Sequence, residues 1–153
     1  MADNTAEDKN VETGTGSEER DTGVIVPNRP VPRKYVLPIL YLADRMASSD
    51  KNVVVKERSA IEDLAKAAGM EKFRHHRDFA ALTEDAACEA LDLDLAKRAA
   101  LVVMALVLKA DQQRHHDEHE FFRKIRTRLG ASPITVPVGM EAHKSLAIKY
   151  LGR

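Results

Sequence analysis

The sequence has no tryptophan, a single cysteine and no long apolar run, and each absence excludes a class of protein. One cysteine, Cys88, excludes an intramolecular disulfide and fits a reducing compartment. The longest apolar run, residues 99–108, is about half the length that a bilayer span requires. The first ten residues are acidic without an apolar stretch, so they predict no secretory signal. We therefore expect a cytoplasmic protein without a membrane span.

Aromatic residues are also scarce, at 5% of 153 residues, so the core must consist of Leu, Val, Ile, Ala and Met. This composition favours helices, and the length suits one domain. Little indicates catalysis. The glycines of GTGS, at 14–17, follow no predicted strand and so predict no phosphate-binding loop. Cys88 lies among alanines and is interpreted as a small buried residue.

The net charge is zero, but the charges are unevenly distributed. Residues 1–23 contain seven acidic and two basic residues, a net charge of −5, which leaves +5 on the remainder. These 23 residues carry too little apolar surface to offset the entropy lost on ordering, so we predict a disordered acidic tail. A proline-containing strap, residues 24–33, completes the N-terminal part, 1–33. The excess of +5 in the remainder is too small and dispersed to predict nucleic-acid binding.

One segment of the chain occurs twice, at residues 40–69 and 101–130. Aligned without a gap, the two copies place Asp50 on Asp111, Glu57 on Glu118 and Gly69 on Gly130. In each copy an apolar helix leads into an acidic loop opened by the aspartate. A second helix then carries the glutamate in its first turn and ends at the glycine, where a left-handed backbone costs least. Because internal self-similarity determines architecture, residues 34–153 are predicted to form one all-α domain built from two pseudo-repeated helical hairpins.

The predicted helices have a defined order along the chain. Their ranges are 34–48, 55–68, one or two short helices within 78–89, 95–109, 117–129 and 140–151. The helix at 95–109 is apolar on nearly every face from Leu101 to Leu108, which predicts the central buried element of the domain.

The two copies also resemble a known family. The second copy, KADQQRHHDEHEFFRKIRTRLGAS, resembles the signature of the tellurite-resistance TerB family and its TerB-like relatives, and the first, SDKNVVVKERSAIEDLAKAAG, resembles its weaker form. The family pattern is a small residue, Asp-Gly, a hydrophobe, three mostly polar positions and Glu, followed by a helix. The matching residues are Asp50, Val53 and Glu57 in the first copy, and Asp111 and Glu118 in the second.

The chain also departs from this family pattern. The glycine after the aspartate is replaced by Lys51 and Gln112, and the hydrophobe of the second copy is Arg114. The resemblance covers about residues 34–130. It implies a non-enzymatic module of tellurite-resistance or stress-response type that acts through contacts with other proteins.

The main candidate site is an acidic quartet: Asp50, Glu57, Asp111 and Glu118. If the two hairpins pack with pseudo-twofold symmetry, these carboxylates converge and suit a hard divalent cation such as Ca²⁺ or Mg²⁺. The resemblance to TerB relatives that are thought to bind metal ions extends to the same four positions. The structural alternative is capping, since a glutamate in the first turn bonds back to the helix N-terminus and an aspartate opens a turn.

A weaker candidate is the histidine-rich run that spans residues 115–120. His115 and His119 are four residues apart, so on a helix they share one face and suit Zn²⁺ or Ni²⁺ with an adjacent acid. The HExxH motif of metalloproteases is not met, because Arg123 occupies the position of its second histidine. A metal-dependent hydrolase that uses this run is one alternative function, and a pure protein-interaction module whose acids are only structural is the other. The structural interpretation of the run is a solvated polar face at the start of a helix.

Overall fold

The computed structural model describes residues 23–49, 55–110, 116–131 and 133–152. These residues form seven α-helices and no strand, so the all-α prediction is confirmed. The helices are α1 Val36–Ala47, α2 Val55–Ala67, α3 Arg77–Ala80, α4 Glu84–Ala90, α5 Asp94–Ala110, α6 His116–Leu129 and α7 Met140–Leu151. Each observed helix begins and ends within two residues of its predicted bounds. The predicted acidic tail lies, except for Gly23, outside the described residues.

Helix α5 is the centre of the domain, as its apolar sequence predicts. It packs against α1, α2, α6 and α7. Leu101, Val103, Met104 and Leu106 on successive faces are all fully buried. A helix that is apolar all round can be satisfied only by neighbours on every side.

Helix α1 is the second buried element and packs directly on α5. Its third residue, Pro38, is accommodated because the first turn of a helix has no intrahelical partner for its N–H groups. The hairpins α1–α2 and α5–α6 are both present in the described residues, and α1 also contacts α6 while α5 contacts α2. That the hairpins are copies of one another stays a prediction from the sequence.

The strap before α1 packs along α7. The amide of Val31 donates to the carbonyl oxygen of Tyr150 at 2.8 Å, and the Tyr150 hydroxyl donates to the carbonyl oxygen of Ile25 at 2.9 Å. Val31 is buried by these contacts. The first and last parts of the described chain are therefore held together.

The second helix of each hairpin ends at a glycine in the left-handed region. Gly69 and Gly130 have φ values of +79° and +65°, as the C-terminal glycine signal predicts. Beside the first of these ends, the Arg33 guanidinium donates to the carbonyl oxygens of Ala68 and Leu151. The strap thereby satisfies free carbonyls at the C-termini of α2 and α7.

Candidate cation site at the loop end of the domain

Three of the six residues predicted to bind metal lie outside the described residues: Asp50, Asp111 and His115. Glu57 and Glu118 are described and occupy equivalent places, because each is the third residue of its helix. His119 is also described and is half-buried on α6.

Glu57 and Glu118 are both buried, with 0% and 1% of their surface exposed. Each glutamate lies on the same face of its helix as apolar residues that follow it. Ile61 follows Glu57 by four residues, and Phe121 and Ile125 follow Glu118 by three and seven. Removing a carboxylate from water costs several kcal/mol unless positive charge or donors compensate. Both hairpins therefore bury an acidic side chain at the same helix position, although burial of a carboxylate is costly.

The helix ends on either side of residues 50–54 and 111–115 line two clefts. Each cleft is lined by one helix end from each hairpin. Ser49, at the end of the first helix, lines a cleft of about 620 Å³ together with Asp117 and Phe121 of α6. We call this the α1–α6 cleft. Val55, the first residue of α2, and Ala110, the last of α5, line another cleft of about 500 Å³.

This pairing brings the flanks of both loops to one end of the domain. Ser49 and Asp117 line the first cleft, and Val55 and Ala110 line the second. We call the end of the domain that carries these four residues the loop end. Asp50 and Asp111 themselves lie outside the described residues.

Further acids surround this end. Asp117 and Glu120 line the α1–α6 cleft, and Glu120 accepts from the Arg123 guanidinium at 2.8 Å. Within the part of the chain that the structure describes, no three His, Cys, Asp or Glu side chains are grouped so that they could hold a metal ion.

Only part of the histidine-rich run lies within the described residues. His119 is half-buried on α6, whereas His115 lies outside the described residues. His76, elsewhere in the chain, has a structural role, since its Nδ1 atom accepts from the amide of Asp78 at 3.1 Å and caps α3. The described residues therefore contribute one half-buried histidine to the predicted zinc site.

Cys88 is buried, as its alanine-rich surroundings predict. Burial raises the pKa of its thiol, and Glu84 and Asp85 nearby act in the same direction, against the lowering effect of Arg128. A thiol with a raised pKa is a poor nucleophile near neutral pH. The site gives no support to cysteine-based catalysis.

A buried histidine on α7 was not anticipated from the sequence. His143 is fully buried, and its Nε2 lies 2.9 Å from the carbonyl oxygen of Val102 in α5. Burial lowers the pKa of His143 from 6.5 to about 4, although the bond to Val102 acts in the opposite direction. A signal was present, since Leu146, Ala147 and Tyr150 continue the same helical stripe.

Comparison with family models, curated proteins and solved structures finds no match to this chain. The TerB resemblance consequently rests on the loop residues and their spacing. No helix in the described ranges has both the length and the apolar character needed to cross a membrane.

Proposed function

We propose that the chain is a non-enzymatic, TerB-like helical module of stress-response type that acts through contacts with other proteins and holds a divalent cation at its loop end. Asp50, Glu57, Asp111 and Glu118 would supply oxygen ligands from the two hairpins, a set that suits Ca²⁺ or Mg²⁺. The cation would fix the two loops relative to each other, and the exposed helix faces beside them would contact the partner.

The observation that carries this proposal is the matched burial of Glu57 and Glu118, at 0% and 1% exposure, in the first turns of α2 and α6. Each of these glutamates follows an aspartate by seven residues in the sequence. Carboxylate oxygens of this kind, supplied from both hairpins, are the ligands that a hard divalent cation prefers.

The test is a thermal melt of the metal-stripped full chain, repeated with Ca²⁺, Mg²⁺, Mn²⁺ or Zn²⁺ added singly. An ion that binds only the folded state at 100 times its Kd adds about 2.7 kcal/mol to the free energy of unfolding. For a domain of this size, that stabilisation raises Tm by roughly 5–10 °C. We expect the rise with Ca²⁺ or Mg²⁺ and its loss in Asp50→Asn/Asp111→Asn.

The matched control is Glu71→Gln/Asp78→Asn, which neutralises two exposed acids elsewhere on the domain and should keep the full rise. A rise confined to Zn²⁺ and lost in His115→Ala/His119→Ala would replace the proposal with a histidine site and reopen the hydrolase alternative. The absence of a shift with every ion would leave an interaction module in which the four acids only cap helices.

A further inference from the structure

We propose that the acidic tail, residues 1–22, docks in cis on a cleft between α2, α5 and α7, which we call the lysine cleft. This is the cleft of about 500 Å³ that begins at Val55. Its apolar part includes Ala60, Leu106 and Met140, one from each helix, and its lysines are Lys56, Lys109 and Lys144, again one from each helix. This volume lies in the range of ligand-binding clefts.

The lysine cleft exposes two large apolar side chains. The described residues contain four large hydrophobic side chains that are exposed, and two of them, Val55 and Val138, line this cleft. They are 78% and 94% exposed. Apolar exposure concentrated at one concave place and edged by charge marks a surface that another segment covers.

The charges of the lysine cleft favour an acidic segment. Lys144 is neutralised by Asp63 at 2.9 Å, and Glu141 is the other acid among the described lining residues. The partly buried Lys109 ammonium donates to the carbonyl oxygens of Pro137 and Val138, at 2.5 and 3.2 Å.

The other two lysines of the lysine cleft, Lys56 and Lys109, come from α2 and α5. In the described ranges neither Lys56 nor Lys109 forms an ion pair, and both line the cleft. A carboxylate placed beside either ammonium group would form a charge-assisted hydrogen bond with it. The cleft therefore attracts negative charge at its α2 and α5 sides.

The tail has the complementary composition. It carries seven of the 24 acidic residues of the chain and two of the 24 basic ones, so the remaining residues hold 17 acidic and 22 basic side chains. Its one large aliphatic residue, Val11, precedes Glu12 directly and follows Asp8 and Glu7 by three and four residues. An apolar residue between carboxylates matches an apolar cleft edged by lysines.

The tail also starts near the lysine cleft. Gly23 lies against Thr135, since a Cβ atom on this glycine would be 3.6 Å from the Thr135 Oγ1 atom. Thr135 precedes Val138 by three residues, a distance of roughly 10 Å at most. Twenty-two residues reach roughly 70 Å when extended and average about 25 Å as a flexible chain. Such a tether gives an effective concentration on the order of millimolar, so weak contacts suffice for docking.

Paramagnetic NMR on the full chain tests this proposal. A nitroxide label is attached at Asn10→Cys in a Cys88→Ala background, and signal loss is measured for backbone amides. We expect the amides of Lys56, Leu106 and Lys109 to lose intensity relative to the reduced label. Those of α3 and α4, which do not line the lysine cleft, should keep their intensity. The signals should recover in about 1 M salt, where the Debye length falls to about 3 Å.

Lys56→Gln/Lys109→Gln should abolish the signal loss at the remaining residues of the lysine cleft. The matched variant Lys66→Gln/Lys72→Gln, which removes two exposed lysines elsewhere, should preserve it. Signal loss spread evenly over the surface would overturn the proposal. So would loss that appears only when labelled and isotope-enriched chains are mixed, because the tail would then dock on a second copy.

Discussion

The imidazole of His143 in α7 bonds through Nε2 to the carbonyl oxygen of Val102 in α5, at 2.9 Å in the buried core. Its other ring nitrogen, Nδ1, has no hydrogen-bond partner among the described residues. Protonation would therefore place an N–H⁺ group in apolar surroundings, and burial accordingly lowers the pKa of His143 to about 4. The histidine is therefore neutral in the folded chain near pH 7, and it connects the C-terminal helix to the central helix by donating from Nε2 to the carbonyl oxygen of Val102.

This connection predicts a loss of stability in mild acid. The pKa of His143 is about 4 in the folded chain and 6.5 as its ordinary value, so the unfolded state binds more protons between these two pH values. The free energy of unfolding should therefore fall as the pH falls through this window, by about 2 kcal/mol between pH 7 and pH 5. Urea unfolding at a series of pH values measures this change.

The control for the acid effect is His143→Gln, whose amide can still donate to Val102 but does not titrate. Carboxylates titrate in both proteins, so the informative quantity is the difference between their free energies of unfolding. This difference should shrink by about 2 kcal/mol from pH 7 to pH 5. A difference that is constant with pH would contradict a buried neutral His143.

The glycine with a left-handed backbone at the end of α6 should be costly to replace, for conformational reasons alone. Gly130 has φ of +65°, and a Cβ atom added there meets nothing within 4 Å. Gly130→Ala should therefore lower the free energy of unfolding by about 1 kcal/mol through the backbone alone. The matched control is Gly139→Ala, where the surroundings are equally open but φ is −73°. That variant should be neutral or slightly stabilising, and an equal loss in both variants would contradict the backbone explanation.

Because α5 lies at the centre of the domain, shortening one of its buried side chains should lower the free energy of unfolding strongly. Leu101 is fully buried, so Leu101→Ala should lower the free energy of unfolding by about 2–5 kcal/mol through lost burial and the cavity left behind. Leu93, just before the same helix, is 40% exposed and has the same side chain. Leu93→Ala should cost less than about 1 kcal/mol. Similar midpoints for both variants in urea would show that α5 is not the core.

The helices could be predicted because their signals are local. The apolar faces of residues 95–109 and 140–151 repeat every three to four residues, and Gly69 and Gly130 end the hairpins where only glycine adopts the backbone cheaply. The packing of the strap could not be predicted in the same way. Val31 bonds to Tyr150 across most of the chain, and no local pattern encodes such a contact.

The candidate site shows the same division between local and distant information. The spacing of Glu57 and Glu118 predicts their place in the first turn of each helix, but their charge argues against the burial that the structure shows. Burial depends on neighbours from other helices, which a single periodic stripe does not identify. The lysine cleft could not be predicted from the sequence at all. Its lysines come from three helices that are adjacent only in the folded chain: Lys56, Lys109 and Lys144.

Arg74 makes the most connected ion pair of the described residues and should respond to a change that preserves its charge. Its guanidinium donates to Asp44 of α1 at 2.7 and 3.1 Å and to Glu62 of α2 at 3.0 Å, and lies 4.6 Å from the centre of the Phe73 ring. A lysine cannot form the planar fork and the ring contact together. Arg74→Lys should therefore lower the free energy of unfolding by about 1–2 kcal/mol in urea melts.

The comparison that isolates geometry from charge is Arg123→Lys on α6. Arg123 pairs with Glu120 at 2.8 Å, but both side chains are more than half exposed, against less than a quarter for Arg74 and Asp44. Exposed pairs contribute little, so this variant should change stability by less than about 0.5 kcal/mol. If the two variants lose equal stability, the ion pairs that connect α1 and α2 depend on the positive charge of Arg74 and not on the shape of its guanidinium. A larger loss for Arg74→Lys, reduced when Asp44→Asn is already present, would assign the effect to the contact between these two side chains.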